Sequence, residues 1–518
     1  MSEQQGAPVP AARRLHYGQT HEQLREWTAR MPNARRTVYD NYNVQTRVDA
    51  RSTGSTYIVT EHPERHSAQS MAPAEARRIA ELQEAHLRDR ELLVVDGYIG
   101  NDPGFWVPAR LIVDSANANV AGMQEHLLFP GPGLGPGFTP RVTVIDTPNL
   151  AAPGYPQDRC ITVDLEHGLT RVLNSDYFGE SKKGLLRMWN AIVDQRGGLA
   201  LHAGCKVIPT ARGERTLLIV GLSGTGKTTP TFTRQNDSLP VQDDFVALMP
   251  GGKVYGTENG CFAKTYALDP ADEPTIHRAV TSRVAFLENV SQQEADGPVD
   301  FFDQRHTQNG RAVFPMEALG WSRDARQVGP VQALLILNRN DNLIPAVARL
   351  STTQAAAYFM LGETRGTSAG GAAEAGKALR VPGTNPFFPL LHAQQGNRFR
   401  ELHEAAGFEV YLLNTGRVGG PDDDPRGKKV RIADSSAAVR AIAEGTIGWE
   451  RDPDFGYEVA TRVPGIEDPE LLQPRSLYQR TGRAEEYRQL VAHLTEERTG
   501  YLETFPGLDP QVVAAVRG

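Results

Sequence analysis

The chain has 518 residues, a length that suggests roughly two to four domains, and its 40% apolar and 23% charged composition is ordinary for a soluble globular protein. A net charge of −7 argues against a nucleic-acid-binding surface, and no apolar run approaches a membrane-spanning helix. The three cysteines, Cys160, Cys205 and Cys261, are too scattered for a disulfide framework or a zinc knuckle and fit a reducing cytoplasm.

Residues 1–15 read as a frayed tail rather than a signal peptide, since no basic segment precedes an apolar one. His21-Glu-Gln-Leu-Arg-Glu-Trp27 has the spacing of a short amphipathic helix, and residues 51–60 of a turn running into a β-branched strand. Residues 72–90 have helical periodicity with Pro73 near the start, followed by strands at 91–100, 106–114 and 141–146. Tyr177-Phe-Gly-Glu-Ser-Lys-Lys-Gly184 is expected to lead into a helix at 185–193, and residues 198–204 to form a strand carrying His202.

A short turn at 210–214 precedes the strand 217–220, and a glycine-rich turn follows it. Gly221, Leu222, Ser223, Gly224, Thr225, Gly226, Lys227, Thr228 and Thr229 contain the pattern G-x-x-x-x-G-K-[ST]. The glycines let successive N–H groups face a polyphosphate, and the positive end of the following helix adds to that field. Lys227 would reach the β- and γ-phosphates, and the Thr228 hydroxyl would ligate Mg²⁺.

Residues 239–248 are apolar but interrupted by Asp243 and Asp244, and a carboxylate at a strand end beside a P-loop suits metal binding. Residues 255–266 suggest a turn-rich strand pair, and 331–337 a buried strand. The Gly/Ala-rich stretch 362–384 reads as a mobile loop. A helix at 397–407, a strand at 408–414, a charged loop at 422–429 and a helical tail from 477 complete the chain. Pattern alone reaches a mixed α/β protein with a P-loop domain.

Several blocks, in order, resemble the ATP-dependent phosphoenolpyruvate carboxykinases, over about residues 51–435. They are the P-loop itself, Tyr177-Phe-Gly-Glu-Ser-Lys-Lys-Gly184, Leu201-His-Ala-Gly-Cys-Lys-Val207, Gln242-Asp-Asp-Phe245 and Glu258-Asn-Gly-Cys-Phe-Ala-Lys-Thr265, then Phe286-Leu-Glu-Asn-Val290, Thr307-Gln-Asn-Gly-Arg311, Tyr411-Leu-Leu-Asn-Thr-Gly416 and Gly427-Lys-Lys-Val-Arg-Ile432. The resemblance implies a two-lobed fold: a tail at 1–15, an N-terminal α/β substrate-side domain at 16–196, and a C-terminal P-loop nucleotide-binding domain at 197–518. It implies ATP with Mg²⁺ and Mn²⁺, the transition metal held by Lys183, His202 and Asp244. A lysine ligand must be deprotonated, so its pKa must be depressed. Arg51 would pair with a substrate carboxylate, Tyr177 would line the pocket with Lys182 nearby, and Arg311 would neutralise the transferring phosphoryl group. Glu258, Lys264, Lys429 and Ser435 fall with the nucleotide.

Some positions depart from the family. The lysines after its arginine are lost in Arg51-Ser-Thr-Gly-Ser-Thr56, Asp176 replaces a tryptophan, Phe245 replaces an acid, and the lid spelling is illegible at 362–384. Three functions stay open. One is the carboxykinase reaction, oxaloacetate and ATP to phosphoenolpyruvate, CO₂ and ADP. The second is a kinase for another small acid, hydroxyl metabolite or protein. The third is a non-catalytic nucleotide-binding regulator. The expected partner is a small-molecule carboxylate, with neither nucleic acid nor membrane.

Overall fold

Apolar strands build two large mixed sheets with helices packed against them. A computed structural model describes residues 8–221, 231, 237–365 and 377–518 of this α/β protein. The first sheet runs in the order Arg14–Tyr17, Glu91–Ile99, Val107–Asp114, Val142–Thr147, Leu169–Leu173, Cys160–Asp164, Thr56–Val59, Ser70–Met71. The helices Ala118–Leu127 and Phe178–Gln195 pack on it. Leu185, Met188, Trp189 and Ile192 of the second helix share one core with Leu111, Val113 and Val144 of the sheet. Gly184 lets that helix lie close, because a Cβ there would come within 2.9 Å of the Thr170 side chain.

The second sheet runs Leu239–Gln242, Ala203–Thr210, Gly213–Val220, Val331–Asn338, Glu409–Asn414, Val347–Leu350, Glu458–Arg462, Gly448–Arg451. Its centre, from Gly213–Val220 through Val331–Asn338 to Glu409–Asn414, is parallel. Both faces of that centre are covered. Leu218 and Val220 enter the core shared with the helices Thr352–Leu361 and His392–Ala406, whereas Leu217 and Ile219 enter the core shared with Ile432–Glu444. Two-sided burial explains an unbroken apolar run, each side chain contributing about 1.5–3 kcal/mol.

A five-stranded sheet orders Gly260–Lys264, Arg311–Pro315, Phe286–Glu288, Tyr42–Val44 and Ala34–Arg36, so strands from early and late in the chain share it. A three-stranded sheet joins Leu199–Leu201, Val246–Leu248 and Val254–Gly256. All three cysteines are buried and free. Among the described residues no helix is long and apolar enough to cross a membrane.

Four local expectations change. The helix expected from 185 begins at Phe178, so Lys182 and Lys183 lie inside it rather than in a preceding loop. The expected strand at 198–204 breaks at His202, and its halves join different sheets. The strand pair expected at 255–266 is two strands in different sheets, Val254–Gly256 and Gly260–Lys264, which do not pair with each other. At 362–384, Glu363–Arg365 pairs with Ala378–Arg380. Residues 366–376 of that stretch, and Leu222 to Thr229 of the P-loop, lie outside the described residues.

Candidate active site

The helix Phe178–Gln195 starts where Tyr177, in extended conformation, hands the chain to Phe178, whose N–H donates to Glu288 Oε1 at 2.9 Å. That bond satisfies one of the donors a helix start leaves open. Successive residues on a helix point about 100° apart, so the neighbouring lysines diverge. Lys182 Nζ donates to Asp244 Oδ2 at 2.5 Å and to Glu258 Oε2 at 3.0 Å. Lys183 Nζ instead sits 5.1 Å from the centre of the Tyr177 ring and 3.8 Å from Glu180 Oε1.

Their charges diverge with their surroundings. Burial disfavours the Lys182 ammonium, but Asp244 and Glu258 outweigh it and hold its pKa above the usual range. Burial pulls Lys183 down to about 7; Glu180 opposes this, while Arg187, Arg51 and Arg311 add repulsion. A substantial neutral fraction of Lys183 at physiological pH is what a lysine ligand to a metal requires.

His202 occupies the break between strands. Its Nδ1 lies 3.0 Å from Thr384 O, and a carbonyl only accepts, so Nδ1 carries the proton and Nε2 offers a lone pair. Nε2 faces Asp244 Oδ1 at 3.0 Å, and since a carboxylate oxygen and a ring lone pair both accept, the pair needs a proton or a shared cation between them. This tautomer, the adjacent carboxylate and the depressed lysine together fit a divalent transition ion. Phe245, the departure from the family's acidic residue, stacks beneath the imidazole with ring centres 4.9 Å apart.

Strand register brings the pieces to one edge. Ala203 pairs with Val220, so His202 lies beside Gly221, where the P-loop motif begins. Cys205 pairs with Gln242, which places Asp243 and Asp244 at the same edge. Such an edge, at the carboxyl ends of parallel strands, is where open α/β sheets bind ligands.

Arg311 enters from the five-stranded sheet, opposite Lys264 in register. Its Nη2 donates to Asn309 Oδ1 at 2.7 Å, and its guanidinium lies 5.0 Å from the Phe262 ring centre. Lys264 is held down to about 8, first by burial and then by Arg311. Arg51 approaches on the turn before Thr56–Val59. That turn is tied down by Ser52 N–H donating to Glu180 Oε1 at 2.7 Å and by Asp176, which accepts from Arg47 N–H at 2.8 Å and Val48 N–H at 3.0 Å. Asp176, a departure in sequence, therefore positions the Arg51 segment.

Arg51, Tyr177, Lys182, Lys183, His202, Asp244 and Arg311 all line one cavity of about 100 Å³, with Phe262, Pro386 and Phe387 among its walls. Arg51, Lys182 and Arg311, with the charged fraction of Lys183, against the single carboxylate of Asp244 give it a positive field suited to an anionic substrate. Glu258 stands behind Lys182. Lys429, exposed on the strand Lys428–Lys429, and Ser435, in the first turn of Ile432–Glu444, do not line the cavity.

Asn309, Glu180 and Glu288 also shape the site; none stands out by motif, although all three lie in the family-like blocks. Phe387 carried no signal. It lies 5.6 Å from Lys183 Nζ and 5.6 Å from the Arg187 guanidinium, an apolar wall between like charges.

Glu288 is fully buried, and burial raises its pKa to about 8. A raised acid contributes stability fully below its unfolded value near 4.5, and loses it as pH rises through about 8. Glu288→Gln mimics the protonated acid and keeps the acceptor for Phe178 N–H. Its urea midpoint relative to wild type is expected to rise between pH 5 and 8, by up to roughly 1.4 kcal/mol per pH unit. A difference flat across that range would contradict a proton held on Glu288.

Comparison with known proteins agrees with this geometry. The phosphoenolpyruvate carboxykinase family profile matches residues 13–469. Phosphoenolpyruvate carboxykinase (ATP) of Mesorhizobium japonicum is 31% identical over 405 residues, 76% of this chain and 73% of the relative. The proteins of that name from Rhizobium leguminosarum bv. trifolii (30% identical, 76% of this chain, 73% of the relative) and Salinibacter ruber (30%, 81% and 78%) are similarly close. With the family's pattern running through most of its length, this chain belongs to the ATP-dependent phosphoenolpyruvate carboxykinase family.

Proposed function

We propose that this chain converts oxaloacetate and ATP to phosphoenolpyruvate, CO₂ and ADP. The observation that carries the reading is the single cationic cavity where Arg51, Tyr177, Lys183, His202, Asp244 and Arg311 meet, at the sheet edge where the P-loop motif begins. In the reaction the bond from oxaloacetate to its departing carboxylate breaks and CO₂ leaves. The electron pair stays as an enolate, whose oxygen attacks the γ-phosphorus as the bond to ADP breaks.

Arg51 pairs with the carboxylate that remains, and the ties from Glu180 and Asp176 to its turn hold it in place. Lys183, His202 and Asp244 would hold Mn²⁺, and Thr228 would meet Mg²⁺ carried with the nucleotide. A divalent ion supplies Lewis-acid polarisation of an anionic oxygen there. Lys182 fixes the Asp244 carboxylate, and the Thr384 carbonyl fixes the His202 tautomer. Arg311 balances charge on the phosphoryl group in transit. Phe262 and Phe387 in the cavity wall limit water near the enolate, which water would otherwise protonate to pyruvate.

The substrate assignment is tested at Arg51. Arg51→Ala is expected to raise KM for oxaloacetate about 100-fold while leaving KM for ATP within about threefold, consistent with a loss of about 2–3 kcal/mol for a charge-assisted pair. Equal effects on both constants, or an effect on ATP alone, would turn the reading toward a kinase with another acceptor.

A further inference from the structure

Among the described residues, one other group of histidine and carboxylate side chains converges closely enough to share a metal ion, where two helices pack together. His21 opens the helix His21–Ala29, and Glu125 and His126 lie near the end of Ala118–Leu127; these two helices pack together. One ligand atom from each of the three side chains lies within 4.8 Å of the others. They line a cavity of about 510 Å³ that shares no residue with the one described above.

The hydrogen-bond pattern fixes which atoms are available. His126 Nε2 lies 2.7 Å from Val284 O, and a carbonyl accepts, so Nε2 carries the proton and Nδ1 keeps its lone pair. This is the arrangement in which a metal-ligating histidine is oriented by its other nitrogen. Nδ1 faces Glu125 Oε2 at 3.4 Å, and His21 Nδ1 lies 3.8 Å from the same oxygen. Glu125 Oε2 and both ring nitrogens of His21 are shielded from solvent with no hydrogen-bond partner among the described residues. Buried polar atoms are normally satisfied, so an unpartnered His21 Nδ1 and Glu125 Oε2 facing each other, with His126 Nδ1 beside the same oxygen, call for a shared cation.

The distances suit one. Metal–ligand bonds of about 2.0–2.1 Å in a tetrahedron put ligand atoms about 3.3–3.4 Å apart. The His126–Glu125 separation of 3.4 Å matches this already, and the His21–Glu125 separation of 3.8 Å is close to it. Phe286 packs against both rings, 5.5 Å from His21 and 5.8 Å from His126, centre to centre.

We propose that His21, Glu125 and His126 form a second metal site, separate from the carboxykinase cavity. It takes a four-coordinate first-row ion of the zinc class through two imidazole nitrogens and one carboxylate oxygen, with the fourth position open to its own cavity. Mixed imidazole and carboxylate ligation favours zinc-class ions over Mg²⁺ or Ca²⁺. The ion clamps the start of the N-terminal helix to the helix Ala118–Leu127.

The test uses full-length protein carrying His202→Ala to disable the first metal site. After EDTA treatment, Zn²⁺ loading and desalting, metal per chain is measured by mass spectrometry, and the absorption of Co²⁺-loaded protein is recorded. The parent is expected to retain about one Zn²⁺ and to show the intense visible bands of four-coordinate Co²⁺. Adding Glu125→Gln, isosteric with the native residue, or His21→Gln, at the partly exposed start of a helix, is expected to abolish both signals. Unchanged circular dichroism and urea midpoints for the metal-free variants exclude misfolding. In an otherwise wild-type chain neither substitution is expected to lower phosphoenolpyruvate formation. Retention of zinc by both variants, or no zinc retained by the parent, overturns the proposal.

Discussion

Lys182→Met is expected to destabilise the fold by about 3–5 kcal/mol, read as a lower urea midpoint, and to remove carboxykinase activity with it. The side chain is 3% exposed and is the shared partner of Asp244 and Glu258. Methionine fills the volume but leaves two carboxylates facing each other without the cation between them. The pH dependence identifies the cause. Burial raises Glu258 to about 7 even with Lys182 opposing the shift. A raised acid contributes stability below its unfolded value near 4.5 and loses it as pH rises through the folded value. Without Lys182 that folded value moves higher still, so the deficit of the variant should widen from pH 5.5 to pH 8. Adding Glu258→Gln should recover much of the loss at pH 8. A deficit independent of pH, or no recovery in the double variant, would assign the effect to packing instead.

Arg311→Ala is expected to cut turnover by about 10³-fold or more, the scale on which an arginine acts at a transferring phosphoryl group. Its guanidinium is held by Asn309 and the Phe262 ring, so the fork is set before substrate arrives. Its buried Nε has no hydrogen-bond partner among the described residues, leaving donor capacity for an anionic oxygen. Arg311→Lys should recover little, since an ammonium cannot reproduce the planar fork. The loss should appear in kcat, with KM for oxaloacetate changed much less. A variant impaired mainly in KM would make Arg311 a binding residue.

The strands were legible where burial leaves a simple pattern. The run 217–220 is apolar because both faces of its sheet are covered, and 331–337 reads the same way for the same reason. The helix carrying Lys182 and Lys183 starts earlier than its sequence suggests, because a Lys-Lys pair normally marks a solvated helix start. They are buried charges compensated by residues distant in sequence, which no local pattern reveals. His202 looked like part of one strand, since apolar residues flank it on both sides. The break there frees its ring to bond Thr384 and face Asp244.

Family-like spelling supplied the residues that pattern could not, and the cavity gathers seven of them. The departures were harder to read than the matches. Asp176 and Phe245 read in sequence only as departures, yet one anchors backbone N–H groups near Arg51 and the other supports the His202 ring. Phe387 was invisible because its role depends on where the chain returns after the Gly/Ala-rich stretch, a matter of tertiary path alone.

The most direct test of the carboxykinase reading is product identity. Purified full-length chain is given ATP, oxaloacetate, Mg²⁺ and Mn²⁺, and phosphoenolpyruvate, pyruvate and ADP are measured together beside the His202→Ala variant. Phosphoenolpyruvate formed in step with ADP, with little pyruvate, and lost in His202→Ala, is the predicted result. ADP released without phosphoenolpyruvate, or phosphoenolpyruvate formation untouched by His202→Ala, would contradict it.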